Sequence, residues 1–256
     1  IVNSTGLATT TKNVIDLDAD AAKSLVITGD KAIDVTFTQF GSATAADATN
    51  GLGVSTIDAS ASTAGIKITT LVNTGNAENG LTIKGGAGAD SITTGATTAK
   101  ALTIETGAGG DTIDLSAITV ATGPKADKII VNAGAGDDNI TVGATGGTFT
   151  LGDGKDIITV TNATVATTTT VATGAIKTTI TDIEKGDKIA FGAGSTLFAK
   201  VDISAANNLD EALGLAAASN AVTTWFQYAG KTYIVDDNNV AGTLNEIGRA
   251  SCRERV

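Results

Sequence analysis

Apolar and polar residues alternate along most of the chain in short runs, which are separated by turns rich in Gly, Asp, Asn and Thr. The runs LTIK, LTIE and IIVN place Leu, Ile or Val at every second position. A period of two buries one face of a β-strand and exposes the other. The pattern therefore predicts an all-β protein built from short strands. No run reaches the roughly 18 apolar residues of a membrane-spanning helix, so we expect no membrane span.

One unit of strand, glycine turn, aspartate and strand occurs four times between residues 81 and 159. The copies read LTIK-GGAGAD-SIT, LTIE-TGAGGD-TID, IIVN-AGAGDD-NIT and FT-LGDGKD-IIT. Their turn aspartates, Asp90, Asp111, Asp138 and Asp156, are separated by 21, 27 and 18 residues (111−90, 138−111 and 156−138). The last separation equals two nine-residue units, one turn of a flattened coil.

Coils of this kind stack all four aspartates on one edge of the fold. The extra residues of the longer coils then belong to the opposite edge, where the longest loop, 121–127, contains Pro124, which a central strand does not tolerate. The turns expected there, 94–98 and 143–147, contain no carboxylate. The pattern predicts a roll with one acidic edge and one plain edge.

The flanking regions predict three further parts of the domain organisation. Residues 1–80 repeat the strand rhythm without the full motif, so we expect a β-solenoid that is held by apolar stacking; the motif-bearing roll covers 81–160. Residues 161–247 are expected to contain further coils and a cap. The cap consists of a helix at about 209–219, with Asn208 as N-cap and Glu211 as third helical residue, and a hairpin at about 223–235 that turns at Ala229-Gly230.

The composition agrees with a thin fold and argues against several classes of function. The chain has 256 residues with 31 Gly, 4% aromatic residues and no His or Met, so large core fillers are scarce. The formal net charge of −10 argues against nucleic-acid binding, which depends on Lys and Arg, and suits cations. Without His, neither a His-zinc site nor a Ser-His pair exists in these residues, and we expect no enzyme activity.

The last nine residues, GRASCRERV at 248–256, differ from the rest of the chain. They contain every Arg and the single Cys, and they resemble a vector-derived tail, so we expect them to lie outside the fold. Without three Arg and one Glu, the net charge changes from −10 to −12. The remaining chain has no Cys, which is compatible with an exported protein that metal stabilises instead of disulfides. Because no initiator Met is present, we expect the chain to start within a longer protein.

The glycine-aspartate turns carry the most specific chemistry. Calcium takes six to eight oxygens at roughly 2.3–2.6 Å from carboxylates and backbone carbonyls. Glycine reaches backbone angles that aim successive carbonyls at one point, and the aspartate supplies charge. One loop provides too few oxygens, but two loops stacked one coil apart can complete a shell between them.

These turns resemble the RTX nonapeptide GGxGxDxUx, in which U is a large apolar residue. The first copy, at 85–93, matches every defined position, whereas the other three have Thr106, Ala133 and Leu151 in place of the first glycine. The resemblance implies calcium bound between stacked loops, with about three or more ions, and U residues Ile92, Ile113, Ile140 and Ile158 in the core. The implied metal-site residues are Gly85, Gly86, Gly88, Asp90, Gly107, Gly109, Asp111, Gly134, Gly136, Asp138, Gly152, Asp153, Gly154 and Asp156.

Two further acidic pairs are weaker candidates. Asp182 and Asp187 flank the turn after the last repeat and are candidates for calcium at the end of the stack. Asp236-Asp237 follows the hairpin, where an exposed loop is the simpler interpretation. Because stacked aspartates repel one another and thin coils bury little apolar area, we expect 81–159 to become ordered only with calcium.

Apart from its last residues, the whole chain resembles the C-terminal region of RTX surface-layer (S-layer) proteins of Gram-negative bacteria. The likeness consists of the Cys-free, Thr/Ala/Gly-rich composition, the interrupted RTX loops and the segment WFQYAGKTYIVDDN. It implies a right-handed parallel β-roll or β-solenoid with RTX calcium loops, closed by a C-terminal cap. It also implies a structural protein on the cell surface that assembles with copies of itself after type I secretion, through a signal beyond Glu246.

Two alternatives stay open. The same loops occur in calcium-binding tails of secreted proteases, lipases and toxins, whose enzyme domain would lie elsewhere. A Thr-rich adhesin or other ligand-binding solenoid is suggested by stretches such as 167–170; a flat ladder of Thr-x-Thr pairs on one face would favour it.

Overall fold

A computed structural model describes most of the chain. The described residues are 1–5, 12–18, 24–39, 55–73, 80–97, 101–118, 128–143, 145–160, 178–191, 198–218, 223–236 and 246–252.

The described ranges contain twenty strands and one helix. In chain order they are β1 (Val2–Ser4), β2 (Asn13–Asp18), β3 (Ser24–Gly29), β4 (Ile33–Gln39), β5 (Thr56–Ser62), β6 (Ile66–Asn73), β7 (Leu81–Lys84), β8 (Ser91–Thr97), β9 (Leu102–Glu105), β10 (Thr112–Asp114), β11 (Ile129–Asn132), β12 (Asn139–Val142), β13 (Gly147–Thr150), β14 (Ile157–Val160), β15 (Thr178–Ile183), β16 (Lys188–Phe191), β17 (Phe198–Lys200), α1 (Leu209–Ala217), β18 (Thr223–Tyr228), β19 (Lys231–Asp236) and β20 (Glu246–Cys252).

Successive strands from β1 to β16 belong alternately to two sheets. Sheet A begins β1-β3-β5-β7-β9-β11-β13-β15, and sheet B is β16-β14-β12-β10-β8-β6-β4-β2. All pairs within these two sets are parallel. A chain that returns to the same sheet one position further along, with parallel pairing, is a solenoid. The predicted all-β parallel β-roll or solenoid is therefore confirmed.

One continuous core lies between the sheets. It extends from Leu25 and Ile27 in the first coils to Ile180 in β15, and nearly all of its large members are Ile, Leu or Val. The four predicted U residues, Ile92, Ile113, Ile140 and Ile158, are completely buried and adjoin one another across β8, β10, β12 and β14. Each coil thus adds one apolar layer from each sheet, because the alternation directs every second side chain inward.

The helix and the hairpin form a second, smaller core. Helix α1 begins after Asn208, whose Oδ1 accepts a hydrogen bond from the Glu211 amide at 2.9 Å, as the predicted N-cap requires. Ala212, Leu213 and Ala216 of the helix pack with Phe226, Tyr233 and Val235 of the hairpin. The rings of Phe226 and Tyr233 stack at a centroid distance of 5.2 Å.

The hairpin joins sheet A through β20. Strands β18 and β19 are antiparallel and turn at Ala229-Gly230, where both residues have positive φ, as a two-residue hairpin turn requires. Strand β20 pairs with β19 on one side and with β15 on the other. Residues 248–252 of the tail that we expected outside the fold therefore lie within a strand; the vector origin of that tail stays a prediction.

Some sequence predictions fall on residues outside the described ranges. These are the loop with Pro124 at 121–127, the expected coil over 161–177 with its Thr-rich stretch 167–170, and Asp237. Within the described ranges, no helix is long and apolar enough to cross a membrane.

Candidate metal centre

The turn aspartates stand one above another at a single edge of the fold, as predicted. Asp90, Asp111, Asp138 and Asp156 each directly precede a strand of sheet B, namely β8, β10, β12 and β14. Asp187 has the same place before β16. Because these strands are neighbours in register, the five carboxylates form a column, which we call the aspartate ladder.

Backbone amides connect the rungs of the ladder. The amide of Asp90 donates to Oδ1 of Asp111 at 2.8 Å, that of Asp111 to Oδ1 of Asp138 at 2.7 Å, and that of Asp138 to Oδ1 of Asp156 at 2.9 Å. The amide of Asp156 continues the series to Oδ1 of Asp187 at 3.1 Å. Each coil therefore holds the next through one carboxylate oxygen.

The second carboxylate oxygen divides the ladder into a centre and two ends. In Asp111, Asp138 and Asp156, which we call the central rungs, Oδ2 is buried and has no hydrogen-bond partner among the residues that the structure describes. In Asp90 and Asp187, the end rungs, Oδ2 accepts the amides of Gly86 at 2.8 Å and Glu184 at 2.7 Å. A buried polar group without a partner costs about 1–3 kcal/mol, and more if it is charged. Three such oxygens in one column indicate a missing positive partner.

The pKa values of the rungs agree only in part with the division into central and end rungs. Burial raises the pKa of Asp138 to about 7, and its neighbours Asp111, Asp156 and Asp137 add to the effect. Burial also raises the pKa of Asp111 and of Asp156. In Asp90, burial raises the pKa to about 6 against the opposing effect of its two amide donors. Charging the column without a cation is therefore unfavourable along its length.

The glycines of the second, third and fourth loops let these loops stack closely beside the central rungs. Their second and fourth motif positions all have positive φ, between 99° and 154°: Gly107, Gly109, Gly134, Gly136, Gly152 and Gly154. A Cβ on Gly134 would collide with the carbonyl oxygen of Gly107, and one on Gly152 with that of Gly134. The loops stack this closely because only glycine permits both the angle and the approach.

The first loop, which matches the motif best, has a different conformation. None of its glycines has positive φ. It stacks on the turn after β5, where the Ala87 amide donates to the Ser62 carbonyl at 3.0 Å and Asp90 Oδ1 accepts the Ile66 amide at 2.9 Å. Because that preceding turn is no glycine-aspartate loop, the first loop lacks the partner that shapes the other three.

The loss of the first motif glycine has a packing reason. Thr106, Ala133 and Leu151, which replace it, are completely buried beside the apolar core. Thr106 lies close to Asp111, but its hydroxyl donates to the Ala133 carbonyl at 2.6 Å. A hydroxyl has one proton to donate, so Oδ2 of Asp111 stays without a donor.

Asp182 ends the stack on the other side of the last loop. Its Oδ1 accepts the Leu151 amide at 2.8 Å and its Oδ2 accepts the Gly152 amide at 2.9 Å. In the earlier loops the amide at the first motif position donates to a backbone carbonyl of the following coil, such as Asn132 O for Thr106. Asp182 lies in β15 of the following coil, so its side chain takes the place of the backbone carbonyl that accepts this amide in the earlier coils.

The residues present fit calcium through the chemistry of their donors. The central rungs offer three unpartnered anionic oxygens, and the glycine loops beside them offer closely stacked carbonyls, which are the hard ligands that calcium prefers. Within the described ranges, no three Asp, Glu, Cys or His side chains group as a metal site by themselves. Backbone oxygens would therefore have to complete any shell.

Two other acidic residues that the sequence analysis names are not rungs of the ladder. Asp153 is exposed on the fourth loop, and Asp236 is the last residue of β19. The sequence offers Asp187 only as a candidate for calcium at the end of the stack, and its distance of 31 residues from Asp156 exceeds every separation between the four motif aspartates. The apolar Ile189, two positions later, was the available signal.

Comparison with protein-family models, with curated proteins and with solved structures found no match for this chain.

Proposed function

We propose that this chain is a calcium-binding structural piece of an extracellular surface layer, and that calcium drives its folding after secretion. The observation that carries the calcium part is the column of three buried carboxylate oxygens without partners in the central rungs. A divalent cation beside them would remove both the repulsion between rungs and the unmet hydrogen-bonding capacity.

Calcium binding of this kind is coupled to folding. The ligands come from successive coils, so the site exists only when the coils are stacked, and binding free energy becomes folding free energy. In a compartment poor in calcium the ladder coils would lack this stabilisation, and outside the cell calcium would supply it. This coupling suits type I secretion, which the resemblance to RTX proteins implies.

The outer faces of the sheets support a structural role. On sheet A, a column of aligned residues runs through Thr56, Thr82, Thr103, Ile130, Thr148 and Thr179. Repeated side chains at the regular strand spacing of about 4.8 Å present the same contact many times, which favours repeated association with copies of the chain.

The alternative of a Thr-x-Thr ligand-binding face receives little support. In the column beside the threonines of sheet A, the aligned residues are Asp58, Lys84, Glu105, Asn132 and Thr150. Only β13 and β15, among the described strands of this face, carry Thr at both outward positions. A secreted-enzyme tail shares the calcium loops and differs from the proposal in having no tendency to form sheets of protein.

The test is a calcium titration of the whole chain, followed by far-ultraviolet circular dichroism, light scattering and electron microscopy. We expect calcium to increase β-structure and then to produce large ordered assemblies. Calcium-induced folding to a persistent monomer would contradict the surface-layer role while leaving the metal site standing. No spectral change and no calcium uptake would contradict the calcium site itself.

A further inference from the structure

The two ends of the aspartate ladder differ from its centre in a way that the motif does not predict. The first loop has every motif residue, yet both oxygens of Asp90 already accept backbone amides, from Ile66 and Gly86. At the other end, both oxygens of Asp187 accept amides, from Asp156 and Glu184. Each oxygen of an end rung therefore already has a hydrogen-bond donor, which the second oxygen of a central rung lacks.

We infer that calcium is confined to the central rungs Asp111, Asp138 and Asp156, and that Asp90 and Asp187 are metal-free end caps of the ladder. This inference rests on the proposed calcium binding and specifies where along the edge it takes place. It also assigns a role to Asp187 and removes Asp90 from the ligands that the motif predicts.

The first glycine of the first loop supports this assignment. A Cβ at Gly85 would collide with Oδ2 of Asp90 and with the Thr106 carbonyl. The carboxylate of Asp90 is turned back onto its own loop, and it occupies the space that a side chain would need. The other three loops carry Thr106, Ala133 and Leu151 at this position, and in those loops Oδ2 has no partner. The loop with the complete motif is therefore the one whose aspartate, Asp90, is an end cap.

Backbone conformation separates the same two groups. The second and fourth glycines of the three later loops have positive φ, and those of the first loop do not. Isolated bridges join Ala108 to Ala135 and Ala135 to Asp153, so the three later loops stack on one another in register. The stacked carbonyls that could complete a calcium shell therefore accompany the central rungs.

The closing side is capped by two carboxylates together. Asp182 receives the Leu151 and Gly152 amides, and Asp187 receives the Asp156 amide. The two side chains supply acceptors to the fourth loop that a further glycine loop would otherwise supply. The last coil therefore terminates the stack through hydrogen bonds alone.

The experiment is a measurement of calcium stoichiometry and affinity on the full chain by isothermal titration calorimetry. Asp111→Asn, Asp138→Asn and Asp156→Asn are each expected to lose bound calcium or to weaken its affinity at least tenfold. Asp90→Asn and Asp187→Asn are expected to keep the stoichiometry of the parent chain. Asp16→Asn, an exposed position in β2, controls for the loss of one negative charge.

Loss of a calcium equivalent in Asp90→Asn or Asp187→Asn would overturn the inference and leave the proposed calcium binding intact. Absence of calcium uptake by the parent chain would overturn both. If an end-rung variant fails to fold, a crystal structure of the parent chain with calcium decides: ions in contact only with central rungs support the inference, and an ion in contact with Asp90 or Asp187 contradicts it.

Discussion

The coils before β7 and the coils that carry the aspartate ladder share one architecture but are held together at their edge in different ways. In the early coils, turns stack through backbone hydrogen bonds, such as that from the Thr63 amide to the Gly29 carbonyl at 3.0 Å. In the later coils, carboxylates take part in every step of the stack. The solenoid geometry therefore does not require the ladder.

Two buried aspartates show the difference most directly. Asp34, in the early coils, contacts Lys12 Nζ at 2.7 Å and Lys67 Nζ at 3.5 Å. The hydrogen bond from Lys12 is the main reason that its pKa is lowered. Asp138, in the ladder, forms no ion pair with a Lys or Arg of the described ranges, and burial raises its pKa to about 7. The early coils contain their counter-charge, whereas under the proposed function the ladder takes one from solution.

Of all the changes considered, calcium removal is expected to lower the stability of the ladder coils relative to the early coils the most. At a calcium concentration about a thousandfold above the dissociation constant, one bound ion adds about 4 kcal/mol to the free energy of unfolding. Excess chelator should therefore lower the melting temperature and split the calorimetric transition into two. A single transition at the same temperature with and without chelator would show that both regions are independent of metal.

A glycine substitution in the ladder loops should have the next largest effect on stability. Gly134→Ala places a side chain at φ 99° against the Gly107 carbonyl, and we expect a loss of about 1–3 kcal/mol in urea unfolding. Gly214→Ala in helix α1 is the matched control. No atom lies within 4 Å of its added methyl, and alanine should stabilise that helix by up to about 1 kcal/mol. Equal effects at both positions would contradict the tight stacking of the loops.

Neutralising one aspartate in each region should have opposite effects in chelator. Asp138→Asn removes a buried charge without a partner, and should stabilise the calcium-free chain by about 1 kcal/mol or more. Asp34→Asn deprives Lys12 and Lys67 of their partner, and should destabilise the chain by up to about 1 kcal/mol. With calcium added, Asp138→Asn should instead be destabilising. Chemical unfolding at neutral pH, with and without calcium, measures whether each substitution stabilises or destabilises the chain.

The stability of the calcium-free chain should also depend on pH. The folded pKa values of Asp90, about 6, and Asp138, about 7, lie above the ordinary value of 3.8 for an unfolded aspartate. Between these limits the folded chain binds more protons than the unfolded chain, so stability falls as pH rises. The melting temperature in chelator should therefore increase from pH 7 to pH 5, whereas calcium affinity should decrease. A rise in melting temperature with pH over this window would contradict the raised pKa values.

Local sequence patterns were sufficient for the repeating parts of the molecule. The alternation around Ile92, Ile113, Ile140 and Ile158 predicted the buried strand faces, because a period of two allows only one inward set. The turn at Ala229-Gly230 could also be predicted from the local sequence. These features depend on interactions between residues close in the chain or between identical neighbouring coils.

Features that depend on an unlike neighbour were not predictable. The conformation of the first loop follows from the turn after β5 beneath it, so its perfect motif was misleading about its geometry. The role of Asp182 depends on the amides of Leu151 and Gly152 from the preceding coil. The place of β20 between β15 and β19 depends on residues far apart in sequence, and no local pattern encodes such a pairing.

The most direct test of the central claim is hydrogen–deuterium exchange of the full chain, read by mass spectrometry with calcium and with chelator. Calcium should strongly protect peptides from 101–118, 128–143 and 145–160, and should change protection much less in 24–39 and 55–73. This result would establish the ladder as the calcium-dependent part of a solenoid whose early coils hold without it. Equal protection of the ladder peptides in calcium and in chelator would contradict the claim.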